Sequence, residues 1–328
     1  MEKELKKERC FGFEKTCEFN ENSYSFNKTK CSKNSSGHRT PEQQKKKFWE
    51  QGDFGYAIPR IQNMKEICSS KNKEGSFLEC SDNLRMCKAK NIFFNFKSFD
   101  AKKSKRYRND ILKEGEVGGN CDVVFDKRTL HSRLEEKSYL QSWGHEFEYF
   151  DSYPDFIINN ENCDIIFEKP TIVIKLDASI NLYHHFCDFI NLYLTQFING
   201  TFSQDVDVLW WDTYTGGFVD SYFGDAWKAF TFNKPKELIH LQNKRVCFRN
   251  ALFPLLARQR LGIYYNMPLI DGCQGSGLFH AFTRHFLYRL NVSQNGPIKD
   301  KLRITILQRD SIARRIINIE EGLRNDDI

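Results

Sequence analysis

Residues 171–176 read Thr-Ile-Val-Ile-Lys-Leu, a β-branched apolar run broken only by Lys175. A strand exposed on one face alternates polar and apolar residues. A continuous run instead predicts a strand covered on both faces. The next stretch, 181–198, has the spacing of an amphipathic helix, with Leu182, Phe186, Phe189, Ile190, Tyr193 and Phe197 on one stripe. The rhythm then repeats, with strands expected at 206–211 and 238–241 and helices at 219–230 and 277–290. Alternation at this spacing implies an α/β fold with a parallel sheet over about residues 163–295.

Before that sheet the pattern is less regular. Residues 41–68 read as helical, 116–119 as a turn, and 92–99, 121–125 and 164–167 as short strands. The expectation is a Cys-rich extension, mostly irregular and helical. After a Gly296-Pro297 turn come one more strand (302–307) and one more helix (311–323), too little to bury their own faces. The domains expected are therefore a Cys-rich mixed region at 1–160, an α/β lobe at 161–297, and the start of a second, Rossmann-like lobe at 298–328 that is cut short.

Eleven cysteines spread from Cys10 to Cys273 without a CxxC cluster. That distribution suits scattered disulfides in an oxidising compartment rather than a zinc ribbon or a thioredoxin motif. Cys187, inside the helix beside the candidate site, is expected to stay reduced. Four N-x-Ser/Thr sequons, at Asn27, Asn34, Asn199 and Asn291, agree with a secretory chain. The start, Met-Glu-Lys-Glu-Leu-Lys-Lys, has no apolar core of a signal peptide, so the true start is expected to be missing. No apolar run is long enough to span a membrane. The net charge of +6 sits largely in local basic runs with no nucleic-acid fold signature, so a solvated basic surface is expected and no nucleic-acid partner.

The sharpest local feature is Tyr183-His184-His185-Phe186-Cys187-Asp188. It opens a helix that follows a buried strand, and α/β sheets bind ligands beyond the carboxyl ends of their strands. His184 and Asp188 are four apart and share a helix face. A carboxylate fixes an imidazole's tautomer and raises its basicity, so the pair is suited to take a proton from an attacking hydroxyl, with His185 as the alternative base. Read alone, the two are equally an ordinary surface pair, with His185 packed at the flank of the stripe. Asp205-Val206-Asp207 is a literal D-x-D, a pattern that holds divalent ions in many sugar-nucleotide enzymes, but it precedes an apolar strand, where acidic residues commonly mark a loop. Asp212 ends that strand and either lines a cleft or caps the next element. Arg309 and Arg314 lie where they can meet a diphosphate, and equally read as solvated arginines.

These stretches together carry a resemblance. CFGFEKTC, FWEQGDFGYA, GEVGGNC, CDIIFEKPT, KLDASINLYHHFCDFINLYLTQ, KRVCF, YYNMPLIDGCQGSGLF and RITIL are similar to the EGF-domain-specific O-linked N-acetylglucosamine transferases, a group like glycosyltransferase family 61. The resemblance covers most of the chain. It implies a GT-B-like, two-lobed glycosyltransferase with residues 161–297 as its acceptor-side lobe. It also implies inverting transfer from UDP-GlcNAc to Ser or Thr of EGF-like domains in the endoplasmic reticulum lumen. The family's histidine-rich helix maps onto residues 183–188, which makes His184, His185 and Asp188 the expected catalytic cluster. Asp212, Arg309 and Arg314 are the expected donor-binding residues. Three departures stand out. The acidic pair that follows Trp-x-Ala-Phe-Thr in the family is replaced here by Phe232-Asn233-Lys234, so the sequence gives Mn2+ or another divalent ion no support. The donor lobe with its His-Gly-Ala-Gly segment is missing, and so is the C-terminal retrieval tetrapeptide. The other reading is a non-catalytic lumenal fragment that binds EGF domains.

Overall fold

The sheet is mixed, and the two ways its strands are joined follow from two kinds of sequence. The computed structural model describes residues 11–13, 29–32, 40–103, 108–124, 126, 139–176, 182–211, 220–257 and 272–293. In chain order the strands are β1 (Lys30–Cys31), β2 (Lys65–Ser69), β3 (Phe77–Cys80), β4 (Cys87–Asn95), β5 (Val117–Gly119), β6 (Asp122–Val123), β7 (Asp151–Ser152), β8 (Ile165–Phe167), β9 (Thr171–Ile174), β10 (Asp207–Trp210), β11 (Lys236–Glu237), β12 (Arg245–Phe253) and β13 (Cys273–Gln274). The helices are α1 (Pro41–Gly52), α2 (Ile58–Gln62), α3 (Gly144–Phe147), α4 (Leu182–Asn199), α5 (Asp220–Trp227) and α6 (Gly277–Arg289). Eleven of the described strands make one sheet in the order β11-β10-β9-β12-β4-β3-β2-β6, with β8 beside β12 and β5 paired to β4 and β7.

The parallel part is the part that the strand–helix rhythm predicts. β11, β10, β9 and β12 are parallel neighbours, and β8 runs parallel to β12. All four residues of β9 are buried. Its alternate side chains enter two separate cores, Val173 on one face and Ile172 and Ile174 on the other. β10 does the same, with Leu209 on the first face and Val208 and Trp210 on the second. A strand with a core on each side has no position for alternation to show, hence the unbroken apolar run.

The N-terminal part corrects the sequence reading. Residues 65–123 are not an irregular extension but the antiparallel strands β2 to β6 of the same sheet. β4 pairs with β12 from Asn95↔Arg245 to Cys87↔Phe253 and is the seam between the two parts. Its Phe94 joins the larger core, while Phe93 packs with Phe156, Cys163 and Cys247 on the opposite face. β2, β3 and β4 follow one another through short connections, and such strands pair antiparallel. Residues 116–119, read as a turn, are largely strand β5. Both glycines permit it, because a Cβ at Gly118 would strike the Asp151 carbonyl oxygen and one at Gly119 the Ser76 hydroxyl. Residues 238–241, read as a strand, form a 3-10 turn that places Leu238 and Leu241, three apart, both in the core.

Four disulfides join described cysteines: Cys31–Cys273, Cys68–Cys121, Cys80–Cys87 and Cys163–Cys247. Cys31–Cys273 spans 242 residues and staples β1 to β13. Links closing long loops remove the most freedom from the unfolded chain. Cys187 is a buried thiol and not a disulfide half, as expected, and it donates to the Tyr183 carbonyl at 3.1 Å. Among the described residues no helix is long and apolar enough to cross a membrane. The chain divides into a unit at 1–292 and a second at 293–328. The strand and helix expected at 302–307 and 311–323 lie outside the described residues.

α6 ties together segments that are far apart in sequence. Asp53 accepts hydrogen bonds from the backbone N–H groups of Gly277 and Leu278, and Ser276 accepts from Phe279, so a carboxylate distant in sequence caps the helix. Further along, the wholly buried His285 bonds through Nδ1 to the Gly12 carbonyl at 3.1 Å. Nδ1 therefore carries the proton, and Nε2 is left without a hydrogen-bond partner among the described residues. Gly12 must be glycine there, since its φ is +85° and a Cβ would lie 2.6 Å from His285 Nδ1. Burial lowers the His285 pKa from 6.5 to about 4. A depressed value means the unfolded chain takes up the proton first, so this contribution is complete above pH 6.5 and is lost as pH falls towards 4. Urea unfolding of the chain and of His285→Asn across that range should differ in slope, the native chain losing up to about 3 kcal/mol more. Parallel slopes would show that His285 is not held neutral.

Candidate functional site

β9 ends at Ile174, and the residue after it is Lys175, fully buried. A lysine in that setting needs partners for all three ammonium hydrogens. It has them: Nζ donates to Glu146 Oε2 at 2.7 Å, to the Tyr139 carbonyl at 3.0 Å and to the Ser142 carbonyl at 3.1 Å. The rings of Tyr139 and Trp143 each lie 4.7 Å from it. Burial pulls the Lys175 pKa below the ordinary lysine value, and Glu146 opposes that pull.

The same segment reaches two more strands. The Tyr139 hydroxyl donates to the Trp211 carbonyl, just past β10, at 2.6 Å. Trp143 Nε1 donates to the Pro254 carbonyl, just past β12, at 2.9 Å. Residues 139–147 thus bind the carboxyl ends of β9, β10 and β12, the edge where α/β proteins put ligands. The signal for this in the sequence was the lone Lys175 in its apolar run. Its partners were not legible, since nothing in 139–147 marks a carboxylate for burial.

On the other face of the sheet, α4 starts at that same edge. The structure brings His184, His185 and Asp188 together on its first turns. From Cys187 onward the helix is buried all round, as its apolar composition dictates, and Asp188 is only 2% exposed. His184 is half-buried, and its ring meets that of Tyr183 edge-on at 5.2 Å. Leu182, placed on the apolar stripe by spacing, is 53% exposed because the helix's first turn projects past the core. His185 is wholly buried, with Trp227 Nε1 donating to its Nε2 at 3.0 Å. An indole N–H only donates, so Nε2 is the bare nitrogen and the ring is neutral with its proton on Nδ1. Phe189 and Trp227 pack edge-on to the ring at 4.7 and 5.7 Å. His184 is therefore the more open of the two histidines.

The D-x-D pair sits at the opposite, amino end of β10. Each carboxylate there meets its own lysine, Asp205 with Lys169 at 2.5 Å and Asp207 with Lys236 at 3.3 Å. Among the described residues no three His, Cys, Asp or Glu side chains converge as a metal site requires. Asp212, Arg309 and Arg314 lie outside the described residues.

The Trp227 contact makes a sharp expectation. By 15N NMR, His185 should show the Nδ1–H neutral pattern from pH 6 to 8. Trp227→Phe, which strands a buried acceptor, should destabilise the chain by about 1–3 kcal/mol. An imidazolium signal from His185 at pH 7 would contradict the assignment.

No family model matches the chain. Individual proteins do. It is 43% identical over 313 residues to the EGF domain-specific O-linked N-acetylglucosamine transferase of Xenopus laevis and 44% identical over 316 residues to that of Bos taurus, matches that cover 95% of this chain. The Drosophila melanogaster protein of the same name is 37% identical over 321 residues. The chain spans 58% of the length of the first two and 60% of the third. Over nearly its whole length, the chain is thus a relative of the EGF domain-specific O-linked N-acetylglucosamine transferases.

Proposed function

We propose that this chain supplies the acceptor-side lobe of a transferase that moves N-acetylglucosamine from UDP-GlcNAc to Ser or Thr of EGF-like domains in the endoplasmic reticulum lumen. The observation that carries the reading is 43–44% identity along 95% of the chain to transferases of that name. The four disulfides support an oxidising compartment. The transferase in this reading is GT-B-like, with Arg309, Arg314 and Asp212 as its donor-binding residues.

In this reading the acceptor hydroxyl oxygen attacks C1 of the sugar. The bond from C1 to the diphosphate oxygen breaks, and UDP leaves with the electron pair. The hydroxyl proton goes to His184, the half-buried imidazole at the sheet's carboxyl edge. Asp188 is one turn on and on the same face, where its carboxylate steadies the imidazolium that forms. His185 has its Nε2 occupied by Trp227 and acts by packing rather than as the base. The burial of Asp188 and His185 is the observation that favours the second reading, a lumenal EGF-domain-binding chain in which the cluster only shapes the helix.

A chimera in which the C-terminal part of the Bos taurus relative follows residue 297 separates the two. His184→Ala and Asp188→Asn should each lower transfer to an EGF domain by about 10²- to 10⁴-fold. Thermal unfolding should stay within a few degrees, roughly the shift of a 1 kcal/mol change. Normal transfer by both variants would reduce the pair to a structural contact of the helix.

A further inference from the structure

A cavity of about 430 Å3 lies at the far end of the sheet, between the carboxyl end of α4 and the strands β3, β4, β9 and β12. It is within the size of small-molecule sites, about 300–1,000 Å3. His184 and Gln196 are twelve positions apart on α4, or about 18 Å at the helical rise, so this is not the candidate catalytic edge. Phe77, Pro170, Ala251 and Leu252 give it apolar walls. Gln196 also lines it, is 3% exposed, and its Oε1 has no hydrogen-bond partner among the described residues. A buried amide oxygen left in this state costs about 1–3 kcal/mol, so an occupant with an N–H or O–H donor is favoured.

The sequence provides such an occupant on a tether. Asn199, the last residue of α4, lines the cavity, as does Thr201, and Asn199-Gly200-Thr201 is a glycosylation sequon. Gly200 has φ +74°, and a Cβ there would meet nothing within 4 Å, so the space beside the attachment point is open. An N-acetylglucosamine ring has the complementary chemistry. Its C–H faces pack on aromatic and proline surfaces, and its acetamido N–H is a donor. We propose that Asn199 carries an N-linked glycan whose first N-acetylglucosamine packs into this cavity, its acetamido N–H donating to Gln196 Oε1. The proposal rests on the lumenal reading above. In the transfer, a lipid-linked pyrophosphoryl oligosaccharide gives its C1 to Asn199 Nδ2. The C1–O bond breaks with its electrons kept by the pyrophosphate, and the amide loses one proton to base. The seated sugar then covers Pro170 and Leu252 and satisfies Gln196.

Asn291 is the internal control. Its sequon, Asn291-Val292-Ser293, follows α6, and the side chain is exposed. The chain would be secreted from cultured animal cells and its glycopeptides and thiols mapped by mass spectrometry. Release of each glycan by peptide N-glycosidase would then be timed on folded and on denatured protein. The expected result is a glycan on Asn199 that is released from folded protein about tenfold more slowly than that on Asn291, the factor one hydrogen bond is worth. Gln196→Leu, which keeps the volume, and Ala251→Phe, which fills the cavity, should each abolish that protection. Three results would overturn the proposal with the lumenal reading intact: an unmodified Asn199 beside a modified Asn291, equal native release rates, or protection untouched by Gln196→Leu. If neither asparagine is modified and the cysteines are reduced, the lumenal reading fails and takes the proposal with it.

Discussion

The ammonium of Lys175 is the point on which the candidate site's geometry depends. It stands at the end of a strand with a core on each face, where a charge is tolerated only if fully compensated. Glu146 and two carbonyls compensate it, and in doing so they fix residues 139–147 against the sheet. That segment then bonds to the chain just past β10 and just past β12. The carboxyl edge, which in a parallel sheet is a row of separate strand ends, becomes one unit. α4 begins at that edge, and its histidine turn inherits the edge's order.

The opposite face supplies the second fixed wall. Phe189, Trp227, Phe230 and Phe286 form a connected aromatic group, and His185 is hydrogen-bonded into it. A ring held in this way fixes the rotation of α4 about its axis, and that rotation decides where the neighbouring His184 lies. The cost is a buried polar residue, offset by one indole hydrogen bond. Burial of Asp188 on the next turn is consistent with the same rotation. The site is therefore set by packing on one face and by charge on the other.

How far this was legible in the sequence depended on whether a residue's neighbours were local. Thr171 to Ile174 announced a two-faced strand, because both its burial and its alternation are properties of one short stretch. The helix at 182–199 was legible for the same reason. Part of β4 was read as a strand at 92–99, but its pairing was not legible, because its partner β12 lies some 150 residues later in the chain and single-sequence patterning carries no record of a distant partner; β5, paired to β4 and β7, was read as a turn for the same reason. Leu238 and Leu241 misled because a short apolar run fits a strand and a 3-10 turn equally well. His184, His185 and Asp188 were singled out as candidates by spacing and by resemblance. That Trp227 would fix the tautomer of His185 was not, since the pairing is made between two helices. The fold's most consequential contact left only a trace in the sequence, one lysine in an apolar run.

A double-mutant cycle on that contact, read by urea unfolding, tests the account at its centre. Glu146→Leu leaves the Lys175 charge buried without its counter-charge and should cost about 3–5 kcal/mol, as should Lys175→Met alone, whereas the two combined should recover most of the loss. The coupling energy should therefore be several kcal/mol. Single substitutions that each cost less than about 1 kcal/mol and simply add would contradict it, and would mean that the strand ends are held by packing alone.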